Sequence, residues 1–154
     1  MTTTDARIRL FVDTNALIRL HIQMAPDHIS VQTALKALVI RQHELWLNRQ
    51  VLHEYANVLT RPQSYVQPIP PGDVAKQLRQ FETTYRIADE TPAVSQELYK
   101  LMETVSLGGK QIHDANIVAT MMAYQIPLLF TLNIVDFQRF NHLIRIITPQ
   151  DVKL

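Results

Sequence analysis

Ile8-Arg9-Leu10-Phe11-Val12-Asp13-Thr14-Asn15-Ala16-Leu17-Ile18 is the stretch whose reading decides the fold. The run from Ile8 to Val12 is short, apolar and bounded, which is the pattern of a strand buried on both faces. Asp13 ends it, and Ala16, Leu17 and Ile18 then continue where a buried parallel strand would hand over to a helix. Everything downstream repeats that alternation. Helical spacing over Ile29–Ile40, with Ser30 as a cap, leads to a short strand over Glu44–Leu47. Val51–Leu59 is again helical, with Val51, Leu52, Tyr55, Val58 and Leu59 on one face.

The stretch Arg61–Gly72, with Pro62, Pro68, Pro70 and Pro71, reads as a loop within one domain rather than a linker between two. A helix is expected from about Pro71 and Asp73, both good helix-start residues, to Tyr85. A strand over Arg86–Ala88 and a helix over Pro92–Val105, stopped by Gly108-Gly109, come next. Gln111–Tyr124 is helical and apolar around most of its circumference. Pro127–Thr131 is a strand, Ile134–Phe140 a short helix and Leu143–Ile147 a last strand. Such alternation specifies an α/β fold, a mainly parallel sheet with helices on both faces, built as a single domain over residues 1–154. Ligands of such sheets sit beyond the C-terminal strand ends, where the strand order switches.

Composition narrows the chemistry. At 154 residues, 47% hydrophobic and 19% charged, the chain belongs to the globular class. It has no cysteine, which excludes disulfides, thiol nucleophiles and cysteine-ligated metals. Fifteen Lys and Arg against 14 Asp and Glu give a net charge of +1, so bulk charge selects no partner. No run reaches the roughly 18–20 apolar residues of a membrane span, and the first seven residues lack the order of a secretory signal. A cytoplasmic protein with no membrane partner is the expectation.

Four carboxylates stand where bland surface chemistry does not put them. Asp13 closes the first strand, where a helix cap and a functional acid are both reasonable readings. Glu54 lies at the edge of the Val51–Val58 apolar stripe; a boundary glutamate with its head in water is the alternative. Asp114 points out of an arc formed by Val118 and Met121, in the first turn of its helix. The helix dipole offsets about 0.3–1 kcal/mol there, less than the several kcal/mol that burying an unpaired carboxylate costs. Asp136 follows the strand ending at Thr131; the competing reading is an exposed first-turn acid beside an Asn133 cap. If the strands of Asp13 and Thr131 are neighbours, all four acids converge. Each like-charged pair at about 5 Å would then repel by roughly 3 kcal/mol at an effective dielectric near 20. Protonation or a divalent cation must relieve that, and all-oxygen ligation selects Mg²⁺ or Mn²⁺. Carboxylate-metal centres of this kind activate water for phosphodiester hydrolysis.

The surrounding residues resemble a known family. Phe11-Val12-Asp13-Thr14-Asn15-Ala16-Leu17 resembles the opening motif of PIN-domain ribonucleases. Val51–Pro62, with His53-Glu54-Tyr55, is similar to their second block, His113-Asp114-Ala115-Asn116-Ile117-Val118-Ala119 to the third, and Thr131-Leu132-Asn133-Ile134-Val135-Asp136-Phe137 to the fourth. The resemblance covers nearly the whole chain, with no departure at an acidic position. It implies a three-layer α/β/α sandwich and an endoribonuclease dependent on Mg²⁺ or Mn²⁺. Asp13, Glu54, Asp114 and Asp136 would form its acidic pocket, Asp13 and Asp114 as direct metal ligands. Asn15, Thr131 and Asn133 would hold those side chains and orient water or phosphate. Stand-alone domains of this size resemble VapC-type toxins, which implies a homodimer and a small antitoxin protein as partner. Because an acidic pocket repels RNA, Arg19, Arg49, Arg61, Lys110 and Arg139 are candidate rim cations, with ordinary surface roles as the alternative.

Other signals fail on their spacing. Gly108-Gly109-Lys110 lacks the glycine and hydroxyl positions of a phosphate loop, since Thr104 and Gln111 stand there. His53-Glu54 opens like a zinc-protease helix, but Asn57 occupies the second histidine position. A haloacid-type phosphotransferase needs an acid where Asn15 stands. Two further readings stay open at this level: a housekeeping or structure-specific nuclease, and a non-catalytic RNA-binding or scaffold module.

Overall fold

The computed structural model describes residues 6–62 and 67–153. The first strand, β1 (Arg9–Val12), runs directly into α1 (Thr14–His21), followed by α2 (His28–Ile40). β2 (Glu44–Asn48) leads without a loop into α3 (Arg49–Thr60); α4 (Pro71–Thr84) and β3 (Arg86–Ala88) follow. Then come α5 (Pro92–Thr104), α6 (Gln111–Ala123), β4 (Leu128–Phe130), α7 (Ile134–Phe137) and β5 (Arg145–Ile147). Of the expected loop 61–72, residues 63–66 lie outside the described residues, and Pro71 and Gly72 already belong to α4.

All five strands are parallel, in the order β3-β2-β1-β4-β5. The chain steps outward from β1 through β2 to β3, then crosses back to β4 on the other side of β1. Right-handed crossovers therefore put α1–α4 on one face and α5–α7 on the other. The helix contacts agree: α1 packs on α2 and α3, α3 on α4, and α5 on α6. The result is a three-layer α/β/α sandwich.

The central strands are apolar at successive positions because both their faces are covered. Leu10, Phe11, Val12, Leu47, Leu129 and Phe130 have no exposed surface at all. Truncating Phe11 or Phe130 to alanine removes about 3–5 kcal/mol by transfer and cavity costs. α6 buries more residues than any other described helix: Ala115, Ile117, Val118, Ala119, Thr120 and Met121. Its all-round apolar sequence follows from lying between α5 and the sheet.

Several local expectations need correction. Ser30 is not a cap: α2 begins at His28, and the Ser30 hydroxyl donates back to the Asp27 carbonyl. α5 ends at Thr104 without Gly108-Gly109; Gly109, at φ 56°, forms the turn into α6 instead. Asn133 makes no side-chain cap bond to a backbone amide of α7. The Leu143–Ile147 strand shortens to Arg145–Ile147 because the backbone amides of Leu143 and Ile144 bond back to Phe140 in a turn. Among the described residues, no helix is long and apolar enough to cross a membrane.

Candidate active site

The strand order reverses between β1 and β4, so the candidate site is the crevice beyond their C-terminal ends. Asp13 sits at its floor. The Asp13 amide donates to the Phe130 carbonyl at 3.0 Å, continuing the β1–β4 ladder one residue past the strand. The side chain is 6% exposed, yet both its oxygens are engaged. Oδ1 accepts from the Thr14 amide at 2.8 Å, which is the helix-cap bond. Oδ2 accepts from the Thr131 hydroxyl at 2.8 Å and from Asn15 Nδ2 at 3.2 Å. Capping and site readings of Asp13 are thus satisfied by different oxygens of one carboxylate.

Thr131 and Asn15 knit the two strand ends together. The Thr131 hydroxyl also accepts from the Asn133 amide at 3.0 Å and from Asn15 Nδ2 at 3.2 Å. Asn15 Oδ1 in turn accepts from the Leu132 amide at 3.2 Å. Asn133 Nδ2 donates to Asp136 Oδ2, tying that exposed carboxylate to the same loop.

Glu54 enters from α3. Its position is set by Asn48, which is fully buried at the strand-helix junction and accepts from the Val51 amide at 2.9 Å. Glu54 Oε2 accepts from the Thr14 hydroxyl at 2.6 Å, and Oε1 from Gln50 Nε2 at 2.8 Å. The spacing of Gln50 and Glu54 is the i,i+4 contact of a helix face. Sequence reading overlooked Thr14, Gln50 and Asn48. The i,i+4 relation was available for Gln50, whereas nothing local marks Thr14 as the hydroxyl that joins α1 to α3.

The acids feel one another. Burial pushes the Asp13 carboxyl up to about 6, with repulsion from Glu54 and Asp114 adding to it; hydrogen bonds from Thr131 and Thr14 pull the other way. Half-buried Asp114, in the first turn of α6, also rises to about 6. Burial is again the larger cause, followed by Asp136 and Glu54, against the opposing charges of Arg139 and His113. One electrostatic neighbourhood therefore holds all four carboxylates. Among the described residues, no three acidic or histidine side chains close around one point as a ready-made cage. The donors still fit a hard divalent cation in kind: all are oxygens, and two resist ionisation in part because of their like-charged neighbours.

A family model described as PIN domain matches residues 10–143. The chain belongs to the PIN domain family. None of the curated proteins matches the sequence. Among solved structures, a chain of Rickettsia felis VapBC2 bound to a promoter DNA fragment is similar at 17% identity and TM-score 0.65, over 90% of this chain and 97% of that one. The sarcin–ricin-loop-cleaving toxin VapC20 of Mycobacterium tuberculosis is similar at 14% identity and TM-score 0.63, over 84% and 93%. A Klebsiella pneumoniae toxin–antitoxin complex contributes a chain at 19% identity and TM-score 0.63, over 91% and 97%.

In this PIN domain the five basic rim candidates differ in their surroundings. Arg49 is engaged by Glu82 and by Asp89, the latter at 2.9 Å. Arg19 faces Asp27 at 3.9 Å. Arg61 and Lys110 are exposed, at the ends of α3 and just before α6. Arg139 is the candidate whose charge reaches the acids, since it opposes the rise of the Asp114 carboxyl. Its Nε is buried with no hydrogen-bond partner among the described residues.

Proposed function

We propose that this chain is a divalent-metal-dependent endoribonuclease and the toxin of a toxin–antitoxin pair. The observation that carries this is the gathering of four carboxylates at the β1–β4 switch point, one of them buried on a bed of hydrogen bonds. Uncompensated, such a group destabilises the fold; a catalytic cation explains its presence. The toxin assignment draws on the fold shared with chains of the VapBC and related complexes. It brings with it a small antitoxin protein and a homodimer as the expected partners, and the cytoplasm as the compartment.

Asp13 and Asp114 would hold Mg²⁺ or Mn²⁺ directly, with Glu54 and Asp136 contributing directly or through water. When bound, the ion supplies positive charge against the phosphate and acidifies a water for attack on phosphorus. The protein's own groups do the rest. Thr131, Asn15 and the Thr14 amide fix both oxygens of Asp13. Thr14 and Gln50 fix Glu54, whose carboxylate would take a proton from the attacking water. Asn133 restrains Asp136, a second acceptor for that proton. Arg139, with Lys110 just before the helix that carries Asp114, offsets the charge of the incoming RNA strand.

The test is cleavage of a mixed RNA pool by the purified protein in Mg²⁺, Mn²⁺ and EDTA, with Asp114→Asn run in parallel. Metal-dependent cutting that the variant loses supports the assignment. Cutting that survives in EDTA or in Asp114→Asn overturns it.

A further inference from the structure

Beside Glu54, on the flank away from Asp13, the surface opens into a polar cleft of about 540 Å³ between α3, α6 and the loop after β3. That volume lies within the roughly 300–1,000 Å³ of small-ligand sites. Its wall is a chain of amides whose orientation is fixed by its ends. Gln50 Nε2 donates to Glu54 Oε1 at 2.8 Å and to the His113 carbonyl at 3.0 Å, and both of those partners only accept. Gln50 Oε1 must therefore face Asn116, whose Nδ2 donates to it at 2.9 Å and to Glu90 Oε1 at 2.7 Å. Both Asn116 hydrogens are used. At the Asn116–Glu90 end, what the wall has left for a ligand is acceptors: Asn116 Oδ1 and the second Glu90 oxygen, neither with a hydrogen-bond partner among the described residues.

The cleft offers no strong phosphate site, because Arg49 at its edge is held by Glu82 and Asp89. It does offer exposed imidazole faces, those of His53 and His113, on which an unstacked base can pack. Two acceptors on side chains that hydrogen-bond each other, with an aromatic platform beside them, match a ligand edge with adjacent donors. Among the four RNA bases only guanine has one, its N1–H beside its N2 amino group. Adenine and cytosine place an acceptor next to their amino group, and uracil a carbonyl on either side of its N–H.

We propose that this cleft is a base-recognition subsite that takes guanine, with Glu90 and Asn116 reading its Watson–Crick edge. The proposal rests on the ribonuclease reading, since the shared Glu54 wall would seat this base next to the scissile phosphate. Glu90 is the specificity-determining residue and has no part in the reaction itself.

Binding of GMP, AMP, CMP and UMP to the metal-free protein, each followed by amide chemical shifts, tests it directly. GMP is expected to bind at least tenfold tighter than the other three and to shift signals within 49–57 and 113–116. Glu90→Gln, an exposed conservative change, should bring GMP level with the rest. Equal binding of all four, no binding, a preference that Glu90→Gln leaves intact, or tighter binding of an arginine amide than of GMP would overturn it, the last assigning the cleft to a peptide. Cleavage of the RNA pool separates the two claims. Selective GMP binding without cleavage sinks the ribonuclease reading alone, whereas cleavage with no guanine enrichment sinks the subsite alone.

Discussion

Asp13 and Asp114 carry similar charge strain but very different surroundings, and their amide variants should part company. Asp13 Oδ2 faces two donors, Thr131 Oγ1 and Asn15 Nδ2, so an amide nitrogen placed there would confront an N–H. Relief of repulsion in Asp13→Asn is offset by that mismatch, and metal-free stability at pH 7 should change little. Asp114 has no such hydrogen bonds among the described residues; in Asp114→Asn the relief is uncompensated. A gain of about 1 kcal/mol is expected, discounted for its half-exposure, or roughly 2–4 °C in thermal midpoint for a domain of this size. Differential scanning calorimetry in EDTA checks both variants. Thr131→Val belongs to the same scale. It deletes a hydroxyl that donates once and accepts twice at the site floor, and it should lower cleavage by about 10–100-fold while the protein stays folded.

At the level of elements, the junction between β2 and α3 does the most for the site. Asn48 is the last residue of the strand, the cap of the helix, and through Nδ2 a 3.4 Å contact to Thr120 on α6. Asn48→Ala should cost about 0.5–2 kcal/mol and loosen Glu54 one turn further on, visible as a lower midpoint in urea and weaker cleavage. This junction also marks where sequence reading stops. Strands buried on both faces and helices with a clear apolar stripe announce themselves, so β1, β2, α3, α4 and α6 were legible to within a residue or two. The residues that turn the chain after α2 and α6 were not: Gln42 and Gln125 take left-handed φ values of 61° and 55° where glycine is the usual signal. In the candidate site, the acids that interrupt apolar patterns are the ones whose charges the fold brings within reach of one another. Their hydroxyl and amide supports, Thr14 and Gln50, were not legible, because the contact that defines Thr14 joins residues 40 apart. The Gly108-Gly109 pair misled for the opposite reason, since two glycines say where the chain turns but not which helix they serve.

Across the whole molecule, the strand order concentrates like charge at one end of the sheet, and stability must respond to pH. Asp13 and Asp114 both titrate near 6 when folded and near 3.8 when unfolded. Between those values the native state holds more protons than the unfolded chain, so this contribution is full below about pH 4 and lost as pH rises through 6. For Asp13 the swing is at most roughly 3 kcal/mol. The advantage of Asp114→Asn over wild type should therefore vanish near pH 4, grow through pH 5–6 and level off above pH 7, in urea melts run in EDTA. Divalent cation should cancel it, since a ligand that binds only the native state stabilises in proportion to its saturation.

The cleavage and cation-rescue expectations depend on the four carboxylates acting as one cation site. Calorimetric titration of Mn²⁺ into the wild-type protein and into Asp13→Asn, Glu54→Gln, Asp114→Asn and Asp136→Asn tests that most directly. Saturable binding to wild type that Asp13→Asn and Asp114→Asn abolish, and that Glu54→Gln and Asp136→Asn weaken, is the predicted result. Absence of binding to wild type, or binding that survives loss of Asp13 and Asp114, would contradict it.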